Sequence, residues 1–390
     1  MSKRPPTDFD SPLLFTLAYN GLPDWRQVHE HLDSKPWHGC TLMEAGGMTL
    51  YHYCVHKAFG HGPDELIARH WQATLITKLQ PLPSGAWNAG QLDQACLLAW
   101  LDADTADGHE GLACPEALLE EMDDLLGYEA LRLLTQGDPT SRHHFFQVLR
   151  YFTLRASEGK SINRHLQIAL DTWPGCLGPP PRLLSLVQGT AAELIVCIRL
   201  AKAGFEVAAL TQYVRDGVRQ LLTTRQPVDF ERNRYAVFPD QPGERPGEYE
   251  YSAELNWSHG DLGQAILLYE AQTLMPDAEL VKFGDLVGLH TLLRTTTPAT
   301  EVVSAPLYRG AAGVAQRYRQ LYRLNQQPAY LQGYEFWLEQ TRNRLWGELA
   351  VGDYPFEDSL RFGLTGIGLV LLSASTDIEL GWDELLLGAG

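Results

Sequence analysis

Long apolar runs recur along the chain, and each run follows a glycine. The clearest copies are SHGDLGQAILLY from Ser258, AGQLDQACLLAW from Ala89, QGTAAELIVCIRL from Gln188, RGAAGVAQRYRQL from Arg309 and FGLTGIGLVLLS from Phe362. Weaker copies begin at Ala45 and Gln136. The leading glycines are Gly46, Gly90, Gly137, Gly189, Gly260, Gly310 and Gly363. Their intervals of 44 to 71 residues predict seven units, each long enough for two helices and their loops.

The polarity of the segments assigns them to two layers. The glycine-led runs carry too few polar residues for surface helices, so we expect them to lie inside. Segments between them are amphipathic; in Leu210 to Thr223, apolar side chains recur at Val214, Val218 and Leu222, the spacing of a helix face. Strand patterns are nearly absent. We therefore predict an all-α fold, a single α/α toroid over residues 1–390 with about seven helix pairs. An open solenoid is the alternative, but both ends carry full apolar repeats, which favours closure.

The longest interval, between the fourth and fifth glycines, contains DFERNRYAVFPDQPGERPGEYEYS from Asp229. Proline, glycine and charged residues dominate this segment, which predicts an insertion at 229–252 between repeats four and five. Its aromatic residues are Tyr235, Phe238, Tyr249 and Tyr251. They indicate an ordered excursion or a lid.

Charge and composition narrow the functional classes. The chain has 31 Lys and Arg against 48 Asp and Glu, a net charge of −17. Such a surface repels nucleic acid and suits a cationic partner or simple solubility. No segment approaches the roughly 20 apolar residues of a membrane span, and the polar N-terminus lacks the apolar core of a signal peptide. We expect a cytoplasmic protein without a membrane partner, and its six scattered cysteines to be reduced thiols.

Several motifs occur in register with the repeats. The fifth unit begins with W-x-x-G-x-x-G from Trp257 and is preceded by the Phe238–Pro239 pair; the sixth contains YRGAAG from Tyr308; the last contains GLTGIGLVLL, with Trp382 nearby. Together they resemble the lanthionine synthetase C-like family. The resemblance extends over nearly the whole chain, although the first three units keep only the leading glycine.

The resemblance implies a peptide cyclase in which zinc activates a cysteine thiolate of a precursor peptide for addition to a dehydroamino acid. The family's zinc ligands are two cysteines and a histidine. Ser258 stands at the first cysteine, and Tyr308 and Arg309 stand at the Cys-His pair. Glu254 and Gln188 replace an accessory arginine and histidine. A permanently protonated guanidinium repels Zn²⁺, so we expect no zinc here and no other cofactor.

The same positions offer other chemistry. One hypothesis is a metal-free acid–base site, with His259 as the base and Glu254 or Asp261 as its orienting group. A second is an ion pair between Arg309 and Glu254 that fills the vacated metal space. A third is that Asp261 and Ser258 are ordinary helix caps, and we favour structural roles over catalytic ones. The predicted substrate-binding residues are Trp257, Ser258, Gln188, Tyr308 and Arg309.

Histidines elsewhere are weaker candidates. His52 and His56 flank Cys54 in YHYCVH and share one helix face, which could hold a metal ion, although packing is the favoured interpretation. The adjacent His143 and His144 point to different helix faces and are expected to be structural.

Two functional hypotheses follow. The first is a metal-free pseudo-cyclase of a lanthipeptide-type pathway that binds a precursor peptide or a peptide-modifying enzyme such as a dehydratase. The second is a metal-free hydrolase or transferase on the same toroid, using Glu254, His259 and Asp261. Fold alone does not decide between them, because function depends on the site.

Overall fold

The apolar runs form helices, and the segments between them form a second helical layer. The computed structural model describes residues 25–33, 41–79, 87–106, 112–156, 164–173, 176–177, 180, 183–187, 189–205, 208–245, 247–350 and 359–386. Sixteen helices lie within these ranges: α1 (Trp25–Asp33), α2 (Leu42–Phe59), α3 (Gly62–Lys78), α4 (Ala89–Ala106), α5 (Glu116–Gln136), α6 (Pro139–Ala156), α7 (Arg164–Thr172), α8 (Thr190–Lys202), α9 (Ala208–Thr223), α10 (Asp261–Ala271), α11 (Ala278–Thr291), α12 (Thr297–Thr300), α13 (Ala311–Asn325), α14 (Pro328–Ala350), α15 (Leu364–Ser373) and α16 (Trp382–Leu385).

Seven of these helices form a closed inner ring. In order they are α2, α4, α6, α8, α10, α13 and α15, and each packs against the next. The last, α15, packs against the first, α2, so the ring closes and the open solenoid is excluded. These helices contain the predicted apolar runs; every residue of α15, for example, is buried. The predicted all-α toroid is confirmed.

The outer helices pack against the inner ring through one apolar face. Helix α3 packs on α2, α9 on α8, α11 on α10 and α14 on α13, while α5 contacts α6 and α7. Helix α1 packs on α15 and so completes the outer layer where the ring closes. In α9 the buried residues are Leu210, Val214, Val218 and Leu221, close to the predicted stripe.

The leading glycines stand at the entries of the inner helices only in the last four units. There each occupies the N-cap position of its inner helix. Gly260 has φ 96° and ψ 177°, a conformation open essentially to glycine alone. Gly310 has ordinary extended angles, but a Cβ atom there would lie 2.4 Å from the Pro306 carbonyl oxygen. In the first units the helices are offset from the repeat motif: Gly46 and Gly90 lie inside α2 and α4, and Gly137 caps the end of α5.

The predicted insertion folds back onto the start of the fourth and fifth repeats. It contains a 3₁₀ turn, Phe230–Arg232, and a two-stranded antiparallel hairpin of β1 (Gln241–Pro242) and β2 (Tyr249–Glu250). The Leu184 amide, just before α8, donates to the Asp240 carbonyl at 2.8 Å. The Gln226 amide donates to the Val237 carbonyl at 2.9 Å. These bonds hold the middle of the insertion, Val237 to Asp240, against the residue stretches just before α8 and just after α9.

Five of the six cysteines lie within the described residues. Four thiols are buried, Cys176 is exposed, and all five are free; Cys40 lies outside the described residues. Burial raises the pKa of the Cys114 thiol to about 12, which keeps it protonated and unreactive. Across the described ranges, none of the helices combines the length and apolar character needed to traverse a bilayer.

Candidate functional site

The loop before α10 is organised by a buried asparagine that the sequence did not single out. The Asn256 Oδ1 atom accepts three hydrogen bonds, each of 2.9 Å, from the Ser258 amide, the Ser258 hydroxyl and the His259 amide. This side chain-to-backbone turn is one that asparagine forms readily. It places Ser258 and His259 side by side at the start of the fifth repeat.

His259 contacts both Ser258 and Glu254 through the same ring nitrogen. Its Nδ1 atom lies 2.8 Å from the Ser258 Oγ atom and 3.2 Å from the Glu254 Oε2 atom. Because the Ser258 hydroxyl proton is directed at Asn256, the proton between Ser258 and His259 belongs to Nδ1. That tautomer leaves a lone pair on Nε2, and the imidazole is 16% exposed. The predicted pairing of His259 with Glu254 is therefore present in the structure.

Asp261 lies apart from this pair and anchors the insertion. Its carboxylate accepts from the Val237 amide at 2.9 Å and the Phe238 amide at 3.0 Å, and it pairs with Arg294 Nη1 at 3.2 Å. Burial raises the pKa of Asp261 and the Arg294 guanidinium opposes that rise. Of the two predicted orienting groups, only Glu254 contacts His259. Asp261 also makes no N-cap bond, since Gly260 occupies that position.

Trp257, a predicted substrate-binding residue, is buried against a second arginine. The Arg317 guanidinium stacks 3.6 Å from the centre of the Trp257 ring and donates to the Trp257 carbonyl at 2.6 Å and 3.1 Å. Both side chains are buried. Burial lowers the pKa of Arg317 to about 9, which still leaves it charged at neutral pH. The contact joins the fifth and sixth repeats.

The sixth-repeat residues separate in the structure. The Tyr308 ring packs against Phe362 with 5.1 Å between ring centres, and the Arg361 guanidinium lies 5.5 Å from the Tyr308 ring. Arg309 is exposed, and no carboxylate of the described part of the chain comes within 4.0 Å of it. The predicted Arg309–Glu254 ion pair is therefore absent, because Glu254 turns to His259 and Arg309 faces solvent. Gln188 lies outside the described residues.

A polar cluster inside the ring was not predicted. Asp93 of α4 accepts from Arg150 of α6 at 2.7 Å and pairs with Arg361, which precedes α15. One carboxylate thus joins three repeats. The nearby His143 is neutral, because burial lowers its pKa to about 4. The sequence signal for this cluster was Asp93, an aspartate within the apolar run of the second repeat.

The histidine pair of α2 does not converge with its cysteine. His52 turns to Asp64, with its Nδ1 atom 2.5 Å from the Asp64 Oδ1 atom, whereas His56 reaches the His61 carbonyl at 3.2 Å. Burial raises the pKa of the Cys54 thiol above its usual range, so it is a protonated core residue. The hypothesis of a His52–Cys54–His56 metal site is not supported by this arrangement.

The residues at the family's ligand positions do not fit a zinc ion. Ser258 offers a hydroxyl already engaged by Asn256, and burial raises the pKa of the Tyr308 phenol, which keeps it neutral. Arg309 offers no lone pair at all. Zinc sites are built from thiolates, imidazoles and carboxylates, and Ser258, Tyr308 and Arg309 supply none of these.

Comparison with known proteins agrees with the fold. The sequence model of the family described as lanthionine synthetase C-like protein matches residues 129–387. A solved structure named nisin cyclase superimposes with a TM-score of 0.62 at 13% identity, covering 93% of this chain and 97% of that chain. No curated protein matches the chain. The matched region begins near the third leading glycine and spans well over half of the sequence: the chain belongs to the lanthionine synthetase C-like family.

Proposed function

We propose that this protein is a pseudo-cyclase that lacks its family's zinc site and binds a precursor peptide, or a modifying enzyme such as a dehydratase acting on that peptide, in a lanthipeptide-type pathway. The observation that carries the proposal is the replacement of the zinc donors. Where the family holds its metal, this chain presents the exposed Arg309 and the hydrogen-bonded Ser258 and His259.

The local groups suit a peptide ligand. Arg309 is exposed and can donate to backbone carbonyls or a carboxylate of a bound chain. Glu254, 26% exposed, and His259 lie together and can accept from peptide amides or a lysine. The net charge of −17 favours encounter with cationic segments. Zinc is not required by any of these contacts.

Peptide binding with and without zinc tests the proposal. The full chain is titrated into a fluorescent precursor peptide encoded beside its gene, in buffer with a chelator and again with added zinc. We expect the same affinity in both buffers, and about a tenfold loss, near 1.4 kcal/mol, for Arg309→Met. Arg219→Met on the exposed face of α9 is the matched control and should bind like the wild type. Binding that requires zinc, or equal affinities for the two variants, would contradict the proposal.

A second candidate function is a metal-free hydrolase or transferase. The observation in its favour is the 3.2 Å contact between Glu254 and His259, which orients an imidazole with a free Nε2 atom. Ser258 is not placed as its nucleophile, because a serine–histidine–acid relay engages the two ring nitrogens separately, whereas here Ser258 and Glu254 share Nδ1. Asp261, the third residue of this hypothesis, is committed to Arg294.

The two functions give different products. Incubation with the dehydrated peptide is followed by mass spectrometry, with thiol alkylation to detect ring closure, since thioether formation leaves the mass unchanged. Peptide binding alone predicts no product and no loss of alkylation. Hydrolysis or transfer predicts a mass change that disappears in His259→Gln.

A further inference from the structure

A buried carboxylate lies among three histidines where α1, α2 and α3 meet. Asp64, in the first turn of α3, is 1% exposed, and His52 of α2 is fully buried. The His52 Nδ1 atom lies 2.5 Å from one Asp64 oxygen, and the His61 Nδ1 atom bonds the other oxygen. His29 of α1 completes the cluster, with its Nε2 atom 3.9 Å from Asp64 Oδ1.

Two ring nitrogens of this cluster are buried without a partner. They are the Nε2 atom of His52 and the Nδ1 atom of His29. Buried polar atoms are almost always satisfied, and an unmatched one calls for a water or an ion. Each imidazole therefore has a second nitrogen, besides the one that faces Asp64, that the described protein groups leave unused.

The ligand atoms are close enough to share one ion. One potential ligand atom from each of His29, His52 and Asp64 lies within 4.8 Å of the other two. Among the described residues, this is the cluster in which three His, Cys, Asp or Glu side chains come that close together. A tetrahedral zinc ion with bonds of about 2.0 Å holds its ligand atoms about 3.3 Å apart. The Asp64 Oδ1 atom lies 2.5 Å from His52 Nδ1 and 3.9 Å from His29 Nε2, distances on either side of that value. Two imidazoles and a carboxylate are donors for zinc and similar transition metals, whereas magnesium and calcium prefer oxygen alone.

We infer that His29, His52 and Asp64 form a binding site for a divalent transition metal, distinct from the family's ligand positions at Ser258, Tyr308 and Arg309. His61, whose side chain is 54% exposed, gives the site a connection to solvent.

The position of the site indicates its role. Helix α1 packs on α15, the last inner helix, while His52 and Asp64 belong to the first repeat. A metal held by His29 on one side and by His52 and Asp64 on the other ties the N-terminal helix to the first repeat. The ion would thus clamp the toroid at the point where its two ends meet.

Metal titration of the full chain tests the inference. Protein stripped with a chelator is titrated with zinc in a calorimeter, and its thermal unfolding is followed with and without the metal; magnesium is the negative control. We expect one zinc per chain and a higher melting temperature with zinc. Asp64→Asn and His29→Gln should each weaken binding at least about a hundredfold, given that loss of a supporting group alone costs tenfold to a hundredfold.

His56→Gln is the matched control, since His56 lies on the same helix one turn after His52 but outside the cluster. It should bind zinc like the wild type. His29→Gln keeps the test informative if Asp64→Asn fails to fold, because His29 is on the peripheral helix α1. The inference is overturned by the absence of saturable binding below millimolar zinc, or by unchanged affinity in a folded His29→Gln variant.

Discussion

Replacing Gly260 with alanine places a methyl group where the backbone leaves no room for one. The new Cβ atom would lie 2.2 Å from the Glu254 carbonyl oxygen, and φ is 96°. Holding an L-residue in that region costs about 1–3 kcal/mol, and relieving the clash requires the Glu254 loop to move. We expect a total loss of about 3 kcal/mol. With an unfolding entropy of roughly 2 cal/mol/K per residue, the melting temperature falls by about 4 °C.

Two other glycines separate the causes of this loss. Gly310→Ala has the clash without the strained φ, because its Cβ would meet the Pro306 oxygen at 2.4 Å in extended backbone. It should lose less than Gly260→Ala. Gly62→Ala, at the first position of α3 with open space around it, should be neutral or slightly stabilising. The assay is thermal unfolding followed by circular dichroism. If the melting temperature of Gly260→Ala equals that of Gly62→Ala, the placement of the fifth repeat is wrong.

Three further results are expected. Asp261→Asn and Arg294→Met should each lower the free energy of unfolding in urea by about 3 kcal/mol, because removing one partner leaves the other charge buried and unpaired. The double variant should lose less than the sum of the two, and strict additivity would show that the buried pair does not form. The losses of unfolding free energy from Glu254→Gln and Arg309→Met should instead add in the same assay, because Glu254 contacts His259 and Arg309 faces solvent. A coupling energy above about 0.5 kcal/mol would show that the two residues form an ion pair after all. The free energy of unfolding should fall as the pH drops from about 6.5 towards 4, because the pKa of His143 is 6.5 in the unfolded chain and about 4 in the folded one. The slope of stability against pH should be shallower in His143→Gln, and an unchanged slope would assign the loss to other groups.

The fold was predictable because the pattern of residue types along the chain shows the repeat directly. Apolar runs of helix length after regularly spaced glycines indicate inner helices, and the W-x-x-G-x-x-G motif fixes the register of the fifth. The register failed in the first unit, where α2 begins at Leu42, before Gly46. There Thr41 and Glu44 form a reciprocal capping box, a signal that was present in the sequence and outweighs the glycine.

The site was only partly predictable, because most of its contacts cross repeats. Glu254 and His259 are five residues apart, and a local turn brings them together. Asp261 contacts Val237 because the insertion folds back onto the ring. Arg317 contacts Trp257 because α10 and α13, the inner helices of the fifth and sixth repeats, pack side by side. Sequence spacing carries no information on such pairs. Arg309 and Glu254 were expected to pair from their positions relative to the vacated zinc, yet each had a better alternative: solvent for one and His259 for the other.

Anomalous diffraction at the zinc absorption edge, from crystals of the full chain grown with added zinc, tests most directly whether the fifth and sixth repeats bind the metal. We expect no anomalous peak between Trp257 and Tyr308, since Ser258 is engaged by Asn256 and Arg309 has no lone pair to offer a metal ion. A peak at His29, His52 and Asp64 would be compatible with that result. A strong peak beside Ser258 and Tyr308 would contradict this expectation and place the protein among the zinc-binding members of its family.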